Sequence, residues 1–206
     1  MDVFRQWIAE NHDELLDNLN KLIFMDEWNK YAKGTISAWE MESLCFYYHE
    51  HELAHLNNYR YGFVDFNKLP AEPEIDKTFT KGGRTINMYK LYKICGTCIA
   101  KNKNKSTVSL LTTTGVVEVK FRREYFALFD KRISAKGEDG KRHIVERSWF
   151  DRGSMIIVQG MRLDDMFICK RYNSTPGHRL YKIDEVNNDE IKIRNTRMPG
   201  DLDEED

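Results

Sequence analysis

Near residue 89 the apolar pattern of this chain changes from a helical period to short strand-like runs, and that change restricts the possible folds more than any other feature. Residues 91–99, 107–112 and 116–121 are three runs rich in β-branched and aromatic side chains. Thr113-Thr114-Gly115 joins the second run to the third as a hairpin loop, with a glycine free to take a positive φ. Residues 123–129 read as a short helix, and residues 131–153, polar and charged with Gly137 and Gly140, as a long mobile loop. Residues 154–160 and 166–172 add two strands around a tight turn at 162–165, and residues 183–193 a last one. Five strands with a small helix between the third and the fourth is the order of an OB-fold, a partly open barrel used for oligonucleotides. Since the chain before it is helical, the expected class is α+β: a helical N-terminal unit followed by an OB-fold-like five-stranded β-barrel.

The N-terminal unit divides further. Residues 2–32 read as helices, the first a short one capped by Asp2, and Leu15, Leu16, Leu19, Leu22 and Ile23 form an apolar stripe. Trp28 and Tyr31 continue it, and Gly34 supplies a stop. Ser37 and Glu40, three apart, match a capping box for a second helix running to about His55. Trp39, Leu44 and Tyr47 or Tyr48 line its apolar face. Residues 57–88, with Pro70 and Pro73, read as a connector, and Lys81-Gly82-Gly83-Arg84 within it as a loop. The expected division is a helical unit (1–56), a connector (57–88), the OB-like domain (89–195, with an insertion near 131–153) and a disordered acidic tail (196–206).

The formal net charge of −1 conceals a strong segregation. Residues 76–182 hold 23 Lys and Arg against 10 Asp and Glu, whereas the remainder holds 9 against 23. A basic block flanked by acidic ones is the electrostatic footprint of a polyanion partner; the plainer alternative is a solvated surface whose halves attract each other. The apolar runs are too short to span a bilayer, and no charged-then-apolar leader opens the chain, so a cytoplasmic protein with no membrane partner is expected. Cys45, Cys95, Cys98 and Cys169 are then reduced thiols. Cys95 and Cys98 have C-x-x-C spacing, but lie in a predicted strand that sends their thiols to opposite faces.

The basic block yields a candidate nucleic-acid-binding set. Lys101, Lys103 and Lys105 occupy the turn between the first two strands, which rims the groove in OB-folds. In the second strand Val108 and Leu110 suit the core, turning Thr107, Ser109 and Leu111 outward. In the third, Val117, Val119 and Phe121 point in and Glu118 and Lys120 point out. Arg122 and Arg123 leave the end of that strand, and Lys170, Arg171 and Tyr172 end the fifth. The cations neutralise phosphates and Tyr172 offers a stacking face, whereas Phe121 belongs to the core. Nothing in this set promises base-specific readout, so sequence-tolerant single-strand binding is expected.

The sharpest competing motif is His51-Glu52-Leu53-Ala54-His55, a literal H-E-x-x-H on a predicted helix. A zinc-dependent hydrolase needs a third ligand. Glu72 and Glu74 lie in the connector, and His12, His143 and His178 are isolated. Asp164-Asp165 reads as turn chemistry rather than a two-metal carboxylate pair. With no phosphate loop and no nucleophile–base pair, no catalytic residue, metal site or cofactor is expected. A non-catalytic protein-docking module is the third reading.

Trp39, Glu40, Glu42, Leu44, Phe46, Tyr47, His51 and Leu53 follow a W-E-x-E-x-L-x-F-Y-x-x-x-H-x-L pattern. This stretch resembles the segment of the C-family bacterial replicative polymerases (the DNA polymerase III alpha subunit) that joins their helix-hairpin-helix region to an OB-fold domain. It departs at Glu52, where that family usually has proline. The resemblance continues through Gly96, the lysine-rich turn, the V-E-V-x-F run from Val117 to Phe121, Tyr125, and Val158-Gln159-Gly160, covering roughly residues 37–172. The insertion at 131–153 is longer than expected of the family, and its palm motifs with paired aspartates are not found. The resemblance implies a single-stranded DNA-binding module (RNA as the alternative), not an enzyme on its own, whose partners are a polymerase catalytic subunit or another replisome protein.

Overall fold

A computed structural model describes residues 2–31, 36–138, 140–187, 190–199 and 201–202. Residues 2–31 form one uninterrupted helix, α1 (Asp2–Tyr31), rather than a short helix followed by a longer one. No glycine or proline occurs within it to break the hydrogen-bond ladder. Its predicted stripe of Leu15, Leu16, Leu19, Leu22 and Ile23 is exposed, Leu22 to 69%. Gly34, the expected stop, lies outside the described residues, as does the end of the tail from 203 onward. Among the described residues no helix is long and apolar enough to cross a membrane.

The next helix, α2 (Ile36–Ser43), ends well short of His55. The capping box does not form, because Ser37 lies inside the helix and its hydroxyl donates to the carbonyl of Glu50 (3.0 Å). Glu40 instead accepts from the backbone N–H groups of Tyr48 and His49, each at 3.0 Å, and meets the His49 ring at 2.6 Å. The carboxylate expected to start the helix thus secures the reversal after it, where Cys45 has a φ of 67°. The chain then settles onto the outer face of the sheet through Leu53, Leu56 and Phe63, which pack with Ile157 and Ile183. Within this stretch α3 (Asn58–Tyr61) is capped by the Asn57 side chain and closed by Gly62 at φ 68°.

The span read as a connector is substantially ordered. Phe66 and Leu69, around a 3₁₀ turn at Phe66–Lys68, belong to the barrel core. The Arg162 guanidinium lies 4.6 Å from the Phe66 ring centroid and donates to the Leu69 carbonyl at 3.0 Å. β1 (Ile75–Lys81) and β2 (Arg84–Tyr89) then form a separate two-stranded antiparallel sheet. Its turn is Gly82-Gly83, at φ 59° and 73°, the two positive values that a tight hairpin matching strand twist requires.

The barrel begins at β3 (Tyr92–Asn102), which is followed by β4 (Thr107–Thr112), β5 (Gly115–Lys120) and α4 (Arg123–Asp130). β6 (Ile133–Lys136) and β7 (Arg142–Glu146) intervene before β8 (Met155–Leu163) and β9 (Met166–Cys169). β3 pairs antiparallel with β4 and β8, β4 with β5, and β8 with β9; the parallel pairing of β5 with β9 closes the ring. This is the OB-like five-stranded barrel with its helix between the third and fourth strands, in an α+β chain. Gly96 and Gly160 permit the closure: a Cβ at Gly160 would collide with the carbonyl of Ile168, and one at Gly96 with that of Leu111.

Residues 131–153 correct the expectation of a mobile loop. β6 and β7 form an antiparallel hairpin, and the chain returns through Trp149 and Phe150, which are 0% and 1% exposed. Phe126, Phe121 and Phe150 form an aromatic cluster, and Trp149 meets Phe129 at 4.6 Å between centroids. The two buried aromatics therefore close the end of the barrel beneath α4, and their burial offsets the entropy of ordering a polar insertion. The last predicted strand is instead a hairpin, β10 (Leu180–Asn187) with β11 (Glu190–Arg194), added to the edge of β8. A short β12 (Asp201–Leu202) pairs with β6.

Candidate nucleic-acid interface

The β3–β4 turn, the exit from β5 and the ends of β8 and β9 converge on one side of the barrel. Between them is an open cleft of about 760 Å³, lined by Lys105, Lys120, Arg122, Arg123 and Lys170, with Asn104, Phe121, Glu124, Met161 and Ile168 among its other walls. Five cations from three stretches of sequence thus meet around one concavity. Backbone structure explains the convergence. Ser106, at φ 52°, turns the chain into β4, and its carbonyl accepts from the Phe121 N–H (2.9 Å), tying the turn to the end of β5. Parallel pairing places Lys120 opposite Ile168, which brings Lys170 alongside. The Lys120 ammonium donates to the carbonyl of Lys105 across the cleft. Among the described residues none of the five cations is in an ion pair. A smaller cavity of about 190 Å³ shares Ser106 and Arg123 with the cleft and adds Lys103 and Lys131.

The other predicted residues are placed differently. Lys101 turns away from the cleft: its ammonium bonds Asp130 and Asp151, the latter at 3.0 Å, and reaches the Ser148 hydroxyl at 3.4 Å. Burial alone would lower its pKa, but these hydrogen bonds and charges together raise it. Lys103 lies 3.7 Å from the second oxygen of Asp130. Ser109 faces outward between Ala100 and Glu118, away from the cleft lining. Arg171 donates to the Thr175 carbonyl at 3.3 Å, bracing the loop after β9. The half-buried Tyr172 accepts at its hydroxyl from the Tyr89 N–H (2.9 Å), and Lys170 lies 5.1 Å from both tyrosine ring centroids. Phe121 is core, 2% exposed.

The competing motifs lose their chemistry in the fold. His51 and His55 are not on a helix. The Leu53 N–H donates to His51 Nδ1 (3.0 Å), so the ring is the tautomer whose Nε2–H donates to the Leu111 carbonyl at 2.9 Å. Both nitrogens are occupied, and burial lowers the ring's pKa. His55 is exposed beside Glu50, at 3.3 Å. Among the described residues no three His, Cys, Asp or Glu side chains gather as a metal-binding group. Cys98 packs inside the barrel and Cys95 against the outer cluster, so the two thiols do face opposite ways; burial pushes that of Cys95 up to about 12. Asp164, at φ 51°, and Asp165 form the β8–β9 turn.

A second cavity of about 640 Å³ lies across the sheet, with Glu52, Arg152, Lys182 and Asp184 in its lining. Glu146 on its wall is buried, and accepts from the Trp149 indole (2.7 Å), the Met198 N–H (2.9 Å), Arg197 (3.2 Å) and Arg194. Burial opposes ionisation of this carboxyl, but its four donors more than compensate and hold its pKa below the usual range. With carboxylates and cations interleaved, this cavity lacks the single sign of the basic cleft.

Sequence reasoning missed Tyr89, Glu124 and Lys131, and also the two strands before the barrel. The Gly82-Gly83 dipeptide between alternating segments was the available signal for that hairpin.

The chain is similar to two proteins. It is 40% identical over 190 residues to "Probable DNA polymerase YorL" of Bacillus subtilis (strain 168), and equally to a "DNA-directed DNA polymerase" of Bacillus phage SPbeta. Each match covers 92% of this chain and 14% of the relative, so the chain spans about one-seventh of their length. No protein-family model matches, and no solved structure matches.

Proposed function

We propose that this chain is a single-stranded nucleic-acid-binding module, with DNA as its ligand, that acts in DNA replication alongside a separate catalytic partner. The observation that carries the reading is the cleft on the OB-like barrel, where Lys105, Lys120, Arg122, Arg123 and Lys170 converge and among the described residues form no ion pair. Cations tracking a groove bind a strand through its phosphates whatever its sequence. Similarity over nearly the whole chain to a small part of two proteins named as DNA polymerases supports the replicative setting. The W-E-x-E-x-L-x-F-Y pattern supports a finer assignment to the linker and OB region of a C-family replicative polymerase. In this proposal residues 89–195 carry the nucleic acid. Residues 1–56 dock the catalytic subunit or another replisome protein through the exposed apolar stripe of α1, and their acidic charge aids the rate of association.

The test is fluorescence anisotropy of a labelled single strand of about 20 nucleotides against its duplex, at two salt concentrations. Tighter binding of the single strand, weakening as salt rises, is expected. No binding at low salt overturns the reading.

A further inference from the structure

The β1–β2 hairpin is a structural oddity. It forms its own two-stranded sheet, and every residue of β1 and the outer half of β2 is exposed. An isolated two-stranded hairpin is marginally stable in water unless something covers one of its faces. Its register shows which face is available. Lys77 pairs with Met88, Phe79 with Ile86, and Lys81 with Arg84. Because side chains alternate along a strand and directly opposed residues share a face, these six lie together. The opposite face carries Thr78, Thr80, Thr85 and Asn87. All three cations of the hairpin and its exposed Phe79 (43%) and Ile86 (38%) are therefore on one side.

The hairpin is also tied to the basic cleft. Its last residue, Tyr89, donates its N–H to the Tyr172 hydroxyl at 2.9 Å. Lys170, a wall of the cleft, lies 5.1 Å from the ring centroids of both tyrosines. A strand leaving the cleft past Lys170 thus meets the root of the hairpin. From Lys77 to Lys81 the arm extends about 14 Å further, at strand rise.

We infer that the Lys77–Phe79–Lys81 and Arg84–Ile86–Met88 face of this hairpin is a second nucleic-acid contact, an arm that holds single-stranded nucleic acid continuing out of the cleft. The cations take phosphates and Phe79 stacks a base, while the glycine turn lets the tip approach the backbone. The inference rests on the single-strand reading of the cleft and extends its footprint.

The experiment compares oligo-dT of about 6 and about 16 nucleotides, spanning the range of OB-fold site sizes, on the full chain. The wild type binds the longer strand more tightly. The triple variant K77A/K81A/R84A loses about tenfold on the longer strand and less than about twofold on the shorter one. Its salt slope on the longer strand also falls by about 2, as expected for three lost phosphate contacts. Phe79→Ala costs about fivefold or more on the longer strand only. Unchanged thermal melting of both variants shows that the barrel is intact. If the triple variant binds the longer strand like wild type, or loses equally on both lengths, the arm is refuted while the cleft reading stands. If the wild type binds neither oligonucleotide, the cleft reading itself fails and the arm with it.

Discussion

Replacing Arg122 and Arg123 by alanine isolates the electrostatic role of the cleft, because both side chains are exposed and neither is in an ion pair among the described residues. Five cations line the cleft, and each phosphate neutralised on a single strand contributes about −0.7 to the slope of log affinity against log salt. Full engagement gives a slope of about −3.5, so a fourfold rise in salt weakens binding about 100-fold. Without the two arginines the slope becomes about −2, and the same rise weakens binding only about 20-fold. Anisotropy titrations of a labelled oligo-dT of about 6 nucleotides, short enough to occupy the cleft without the hairpin, read both slopes directly across that salt range. Lys101→Ala supplies the contrast. Its ammonium is held by the buried Asp130 and by Asp151, so its loss leaves Asp130 with the Ser148 hydroxyl and the more distant Lys103 and costs about 2 kcal/mol of stability, seen in thermal or urea unfolding, with the slope unchanged. If the arginine variant keeps the wild-type slope, or if Lys101→Ala lowers it, the assignment of the cleft as the phosphate track is refuted.

Two further outcomes follow from the fold. Gly160→Ala places a Cβ against the Ile168 carbonyl where β8 and β9 cross, and is expected to destabilise the barrel by about 3 kcal/mol or more in denaturant titration. His51 makes stability depend on pH. Burial lowers the pKa of the native ring from 6.5, so below about pH 6.5 the unfolded chain takes up a proton that the native ring resists. The contribution is present above that pH and is lost as pH falls beneath it; His51→Gln flattens this part of the profile, and an unaltered profile in that variant would falsify the assignment.

The barrel was legible in the sequence because each of its strands carries local evidence. Val108 and Leu110, then Val117 and Val119, alternate with polar neighbours, and all four are nearly or fully buried where the alternation puts them. Thr113-Thr114-Gly115 announced its hairpin in the same local way. The helix through residue 55 was misread because Glu40 has two possible partners. The nearby Ser37 is visible in sequence, whereas the N–H groups of Tyr48 and His49 become available only when the chain reverses. The apparent loop at 131–153 failed similarly, since its charged hairpin outnumbers the two aromatics that anchor it.

The candidate site divides along the same line. That the barrel gathers cations was evident from Lys105, Lys120, Arg122, Arg123 and Lys170 as residue types on an OB-like strand order. Which lysines line the cleft was not, because Lys101 and Lys105 are four residues apart with the same charge, and only the structure puts Lys101 within β3 and Lys105 in the turn after it. Composition and periodicity, which are local properties, determined the α+β class, the barrel and its positive charge. Tertiary structure alone decided that Lys101 is neutralised by Asp130 and Asp151, that His51 is locked against Leu111, and that Lys170 of the cleft wall lies beside Tyr89. Each of these depends on groups brought together from at least 29 residues apart, and a charge or a hydrogen bond acts through distance in space rather than along the chain.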